Sequence, residues 1–396
     1  MNFDEEIKRK HTHSMKWDML QERYESDDLW AMWVADMDFK VPQEILDALQ
    51  EVVDHGVFGY HFPPDSLKEE IRSWLDRRFD YAINPQQIVF TPGVVPAIHH
   101  LIQTFTNEGD GIVIQTPVYY PFFALVKENN RKLLENPLTD ETSGFTMNFE
   151  HLEEQFKNGA KMLILCSPHN PIGRVWTEEE QRRLAELCEK YGVFVVSDEI
   201  HADLIFKGKH LPFSNVARDY SINLATCMAP SKTFNLAALQ MSYVIFDDST
   251  LQKSYEAQLK SNFVGGISPF AVASCEAAYR KGEPWLEKLL AYIQENISYV
   301  KKEIKNHLPE VTVHEPEGTY LIWIDFRKLG FTSTSLQKWL REEAGLALGE
   351  GHVFGKEGSG FARMNVACPK GHVEEGVRRL KEAYKKLPKH QEHSSS

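Results

Sequence analysis

Five chemically useful residues stand where short apolar runs end. Gly93 closes IVFTPG and opens a helical pattern, Tyr119 follows GIVIQTP, Asn170 follows MLILCSP, Asp198 follows GVFVVS and Lys232 follows INLATCMAPS. A lysine that loses its proton easily attacks a carbonyl carbon, and partial desolvation near cations favours that loss. A carboxylate can hold a proton on an aromatic nitrogen. A helix N-terminus attracts phosphate through its unpaired N–H groups. An acid, an amide, an aromatic ring, a helix N-terminus and a lysine on one rim are therefore the parts needed to hold an aromatic phosphate cofactor and attack its carbonyl. Each residue alone has a plainer reading: a turn lysine, a capping acid, an Asn-Pro turn, a core tyrosine. Their joint placement carries the argument.

Alternation of strand and helix would bring such strand ends together. The runs from Ile88, Gly111, Met162, Gly192, Ile222 and Met241 are short, β-branched and bounded by turn residues. Between them lie helical patterns such as TEEEQRRLAELCEKYG from Thr177, with a Thr cap, early acids and a terminal Gly. The pattern predicts an α/β fold: a mostly parallel, mixed sheet with helices on both faces, in three αβα layers, and ligands beyond the carboxyl ends of the strands. After Pro284 the texture becomes α+β, with helices expected over 284–307, 335–344 and 371–386 and a strand over 361–367. The expected layout is an N-terminal segment over 1–45 packing with the small domain, a large domain over 46–283, a small α+β C-terminal domain over 284–388 and a disordered tail over 389–396.

Composition bounds the function without naming it. The chain has 396 residues, 42% of them hydrophobic, and 44 Lys+Arg against 57 Asp+Glu, a net charge of −13. Single cores stop growing at roughly 250–300 residues, so two domains fit this length. The acid excess argues against nucleic acid or an anionic membrane as partner. Five cysteines, odd in number and without a C-x-x-C pair, read as reduced thiols in a cytoplasm and not as a disulfide framework or a zinc knuckle. The N-terminal MNFDEEIKRKHTHS lacks the apolar stretch of a signal peptide, and no apolar run approaches the ~20 residues of a membrane span. Neither G-x-x-x-x-G-K-[ST] nor H-E-x-x-H occurs, and GEGHVFGKEGSG lacks the dinucleotide glycine spacing. No metal site is expected.

Three segments, SPHNPIGRVW around Asn170, SDEIH around Asp198 and APSKTFN around Lys232, resemble the signatures of fold-type I pyridoxal-phosphate enzymes, the aminotransferase superfamily. WVADMDF from Trp33, FGYHFPP from Phe58 and PVYYPF from Pro117 narrow the likeness to the cystathionine β-lyase-like, MalY/PatB-type carbon–sulfur lyases, over about residues 30–386. The resemblance implies pyridoxal 5'-phosphate as cofactor and Lys232 as the catalytic lysine that binds it covalently, takes the Cα proton and protonates the leaving group. It implies Asp198 on the pyridine nitrogen, Asn170 and His201 on the phenolic oxygen, and Tyr119 stacked on the ring. The backbone of Gly93, Val94 and Val95 with the Ser231 hydroxyl would hold the phosphate. Arg363, in FARMNVA, would grip the substrate α-carboxylate, with Tyr119 and Asn170 beside it. Tyr60 would reach the phosphate of a partner subunit, making the active unit a homodimer with shared sites.

Departures matter too. His201 stands where aminotransferases commonly carry Tyr, and Ala229 and Gln240 where many carry a phosphate-binding Ser and Arg. The lost arginine weakens the transaminase reading. The expectation is therefore a lyase that takes L-cystathionine, cysteine or S-substituted cysteines to a thiol, pyruvate and ammonia. The alternatives are an aminotransferase on the same scaffold, or a lyase-like protein with an added transcription-regulatory binding role. Trp33 and Trp323 are candidates for the substrate entrance or for packing between domains.

Overall fold

A computed structural model describes residues 2–141 and 144–388, so the expected tail over 389–396 lies outside the described residues. Strand β1 (Trp30–Ala31) belongs to the N-terminal segment. Then come β2 (Ile88–Thr91), β3 (Gly111–Ile114), β4 (Lys132–Glu135), a hairpin of β5 (Thr139–Glu141) and β6 (Gly144–Thr146), and β7 (Ala160–Cys166), β8 (Phe194–Asp198), β9 (Leu224–Met228) and β10 (Ser242–Ile245). The seven-stranded central sheet runs β2-β10-β9-β8-β7-β3-β4. Its neighbours are parallel except β10, which is antiparallel to both β2 and β9. A parallel return from β9 needs a crossover helix. Residues 229–241 instead form the loop that carries Lys232 and a short 3₁₀ turn, so β10 comes back antiparallel.

Alternation within the strands makes the three layers. Ile112, Ile114, Ile164 and Val196 point into one core with Val94, Ile98 and Leu101 of the helix Val94–Phe105. Val113, Leu163, Leu165 and Val195 point into the opposite core with Leu184 and Cys188 of the helix Glu178–Tyr191. That period of two is the geometry of a strand buried on both faces. The helix Glu178–Tyr191 starts on a reciprocal cap, Glu180 N to Thr177 Oγ1 at 3.2 Å and Thr177 N to Glu180 Oε2 at 2.9 Å, and stops at Gly192 in the left-handed region, φ 63°.

The C-terminal part is a four-stranded antiparallel sheet, β11 (Thr312–His314), β12 (Leu321–Asp325), β15 (Phe361–Asn365) and β14 (Gly349–Glu350), in that spatial order. Helices Glu283–His307 and Lys370–Lys385 cover it through Ile297, Val300, Val373 and Val377 against Ile322 and Met364. Strand β13 (Leu346–Ala347) pairs in parallel with β1 and ties the N-terminal segment to this part. The helix expected over 335–344 is present as Ser333–Lys338 followed by a π turn over Trp339–Glu343. Among the described residues, no helix is long and apolar enough to cross a membrane.

Candidate active site

The carboxyl ends of β2, β7, β8 and β9 open on one cavity of about 540 Å³. Gly93, Val94, Val95, Tyr119, Asn170, Asp198, His201, Ser231, Lys232 and Arg363 all line it. Tyr60 does not. It is fully exposed and lines a separate cleft between the helices Gln43–His55 and Pro269–Lys281.

Each wall follows from a local cause. After β2, Pro92 and Gly93 turn the chain and the helix starts at Val94, so its first amides face the cavity with no preceding helical turn to bond. Asp198 is the last residue of β8 and is buried, one oxygen accepting from Ile200 N at 3.2 Å. Burial pushes its carboxyl up to about 7, Glu199 adds to that, and Ile200 N–H and Lys232 oppose it. Among the described residues no cation lies within ion-pair distance of it. Lys232 is lowered to about 8, by burial first and then by the Arg363 guanidinium, while Asp36 and Asp198 act the other way. Its Nζ donates to Ala35 O at 2.6 Å. Burial holds the His201 imidazole far below its ordinary pKa, so it is neutral, and its Nδ1 has no partner.

Arg363 enters from the four-stranded C-terminal sheet on β15, across from Trp323 and Gly349. It is buried, donates to Asn170 Oδ1 at 3.0 Å and Trp33 O at 2.9 Å, and faces the Phe354 ring at 4.8 Å. Its Nε has no partner, and among the described residues no carboxylate pairs with it. A buried guanidinium without an anion is costly unless a ligand supplies one. By taking the Asn170 oxygen, Arg363 also fixes which end of the amide is the acceptor, so that its Nδ2 keeps its donors for other partners.

Two groups of lining residues had no cofactor or substrate role read from the sequence. Trp33, Val34 and Ala35 form one wall, and their stretch is clamped by Arg363, by Lys232 and by Asn365 Nδ2, which donates to Val34 O and Asp36 O at 2.6 Å each. WVADMDF marked this segment, yet its contribution is carbonyl oxygens, which no side-chain pattern announces. The glycine-rich GEGHVFGKEGSG forms another wall, presenting Glu350, Val353 and Phe354. A Cβ on Gly351 would collide with the carbonyl of Gly358, so its glycines serve close backbone approach. Of the two tryptophans, Trp33 lines the cavity, whereas Trp323 is buried beneath it, stacked on Phe361 at 5.0 Å. Gln240 also lines the cavity, at the position where an arginine was noted as missing.

The model of the family described as aminotransferase class I and II matches residues 32–380. The chain belongs to the aminotransferase class I and II family. Within it, the chain is 42% identical to cystathionine β-lyase PatB of Bacillus subtilis, over 97% of this chain and 100% of that protein. Cystalysin of Treponema denticola, whose structure contains pyridoxal 5'-phosphate, superposes with a TM-score of 0.94 at 34% identity, covering 98% of this chain and 99% of that one. The PLP-bound C–S lyase of Staphylococcus hominis superposes with a TM-score of 0.90 at 30% identity, covering 97% and 98%.

Proposed function

We propose that this protein is a pyridoxal 5'-phosphate-dependent carbon–sulfur β-lyase that converts L-cystathionine, cysteine or S-substituted cysteines to a thiol, pyruvate and ammonia. The observation that carries the reading is a set of charges around one cavity that are unmatched among the described residues: Asp198 with no cation, Arg363 with no carboxylate and Lys232 with a depressed pKa. These fit the cofactor and an α-amino acid together. Asp198 would meet the ring nitrogen, whose positive charge restores the buried carboxyl to its ionised form. Asn170 Nδ2 and the neutral His201 would donate to the phenolic oxygen, Tyr119 would cover the ring, and Gly93, Val94, Val95 and Ser231 would hold the phosphate.

When bound, pyridoxal phosphate supplies a carbonyl carbon for amines and an electron sink for a negative charge at Cα. The protein's own groups do the rest. Arg363 binds the substrate carboxylate as a planar double donor, and Asn170 braces it at 3.0 Å. Lys232 takes the Cα proton, which requires the neutral amine that its pKa of about 8 makes available near neutrality. As the Cβ–S bond breaks its electron pair leaves on sulfur, and Lys232 returns the proton there. Released aminoacrylate takes up water and yields pyruvate and ammonia.

The purified protein with pyridoxal phosphate and L-cystathionine, and no keto acid, should form pyruvate and a thiol continuously. Product formed only when a 2-oxo acid is added would overturn the lyase reading in favour of an aminotransferase. Lys232→Ala should also lose the visible absorbance of lysine-bound cofactor.

The proposal extends to a homodimer in a reducing, cytoplasmic compartment. Val57, Phe58, Tyr60 and Phe62 are all exposed on one segment, the apolar content expected of a subunit interface. All five cysteines are buried free thiols. Sedimentation should give twice the chain mass, and Tyr60→Ala should loosen cofactor retention. A monomer with full retention would refute the shared site.

A further inference from the structure

The groups assigned so far lie around Lys232 and Arg363. The lining of the same cavity carries a second pair of opposite charges. Arg23, on the short helix Leu20–Tyr24, and Glu350, on β14, both line the cavity. One hydrogen bond holds them near each other: Tyr24 Oη donates to Leu348 O at 2.8 Å, with Arg23 adjacent to the donor residue and Glu350 two residues beyond the acceptor. The buried Tyr24 phenol registers all the charges together. Burial raises its pKa most, Glu350 raises it further, and Arg363 and Arg23 pull it back. Gly349, beside Glu350, lies against the assigned arginine, since a Cβ built there would stand 3.4 Å from Arg363 Nε. Trp33, Tyr120, Val353 and Phe354 line the same cavity.

Arg23 is exposed and has no ion pair among the described residues, and Glu350 meets only the half-exposed His352, at 3.5 Å. An unpaired guanidinium and a weakly paired carboxylate, lining the same cavity as the arginine assigned to an α-carboxylate, match a substrate with a zwitterion at each end.

We propose that Arg23 and Glu350 read the far end of the substrate, Arg23 binding a distal carboxylate and Glu350 a distal ammonium. The enzyme thereby favours thioethers whose leaving thiol is itself an amino acid over simple S-alkyl cysteines. This inference rests on the lyase reading above. It assigns Arg23 and Glu350 to specificity and gives them no part in breaking the Cβ–S bond.

The test uses the holoenzyme and four substrates: L-cystathionine, S-(3-carboxypropyl)-L-cysteine without the distal ammonium, S-(3-aminopropyl)-L-cysteine without the distal carboxylate, and S-propyl-L-cysteine with neither. Arg23→Ala should raise KM by about tenfold or more for the first two and leave the last two within about twofold. Glu350→Gln should do the same for L-cystathionine and the aminopropyl compound only. Arg23→Lys should recover part of the loss, because charge without the planar fork remains. An equal fall on all four substrates, or no change on any, would overturn the proposal. Rapid-mixing titration of the cofactor absorbance with L-cystathionine and S-propyl-L-cysteine gives the affinity ratio from the first binding phase, before product accumulates. Failure to make pyruvate would then refute the lyase reading, while equal affinities would refute the reading site.

Discussion

Two lysine–aspartate groups in this chain carry opposite electrostatics. In the N-terminal segment Lys16 Nζ lies 2.5 Å from Asp38 Oδ2, and Arg9 Nη1 lies 2.6 Å from Asp38 Oδ1. Trp17 Nε1 donates to the same carboxylate at 3.2 Å. Despite burial, the two cations hold Asp38 down to about 2, and Lys16 is raised above its ordinary value. At the rim of the central sheet the signs reverse: Asp198 goes up to about 7 and Lys232 down to about 8. Burial opposes charge in both places, so partners make the difference. Where charges are matched inside the protein they lock the chain, and where they are left unmatched they await a ligand.

The same comparison explains a cluster that looks like a metal site. Asp38, Cys368 and His372 bring one ligand-type atom each within 4.8 Å of one another. The carboxylate is already held by Lys16 and Arg9, whose charges would repel a cation. The imidazole is pressed down to about 4 chiefly by burial, and it stacks on Trp30 at 4.2 Å. The cluster is the apolar and neutral side of the lock.

The contrast breaks most sharply at the two lysines. Lys232→Ala should cut turnover by several orders of magnitude while the cofactor-free protein unfolds at the same or a higher denaturant concentration, since a desolvated amine is removed. Lys16→Met should do the reverse. It strands Asp38 next to one remaining cation and should cost roughly 3–5 kcal/mol of stability, read from the shift in urea midpoint. Turnover per folded molecule should stay near wild type. If Lys16→Met leaves the midpoint unchanged, the N-terminal network is not a lock.

How much of this contrast could be read in the sequence follows from the kind of signal involved. Strand-end residues such as Asp198 and Lys232 were legible because the alternation of apolar runs and helical patterns fixes which end of each strand carries them. The N-terminal lock was not. Lys16 and Asp38 stand 22 positions apart in a segment with no strand–helix alternation to place them, so their contact needed three dimensions. The direction of β10 was hidden for a related reason, since MSYVIFDD reads the same either way and the connecting loop decides. Edge strand β4 was missed because KLLE is half-exposed and lacks an apolar run. Arg363 was reachable only through the family resemblance, and its bond to Asn170 needed three dimensions.

Asp198→Asn sharpens the comparison at a smaller scale. Asparagine keeps the shape and loses the charge that a protonated ring nitrogen would need. Cofactor retention on dialysis and turnover should both fall, whereas the stability of the cofactor-free chain should hold or rise. A cofactor-free variant less stable than wild type would mean that Asp198 works as a structural acid, like Asp38.

The smallest effect is in the pH dependence of the cofactor-free protein, and here the two regions pull in opposite directions. Asp38 is depressed from 3.8 to about 2, so its contribution is present above the unfolded value and is lost as pH falls through about 2. Asp198 is raised from 3.8 to about 7, so between those values the folded state binds a proton that the unfolded state has released. Stability from this group therefore declines as pH rises from about 4 to about 7. Lys232 is lowered from 10.5 to about 8, so the unfolded chain holds the extra proton and stability recovers as pH rises across that window. Urea midpoints measured from pH 4 to 10 should thus dip between about 7 and 8, and Asp198→Asn should flatten the acid side of the dip. Adding pyridoxal phosphate should remove the dip, because the ring nitrogen and the lysine bond then satisfy the charges that burial had left unmatched.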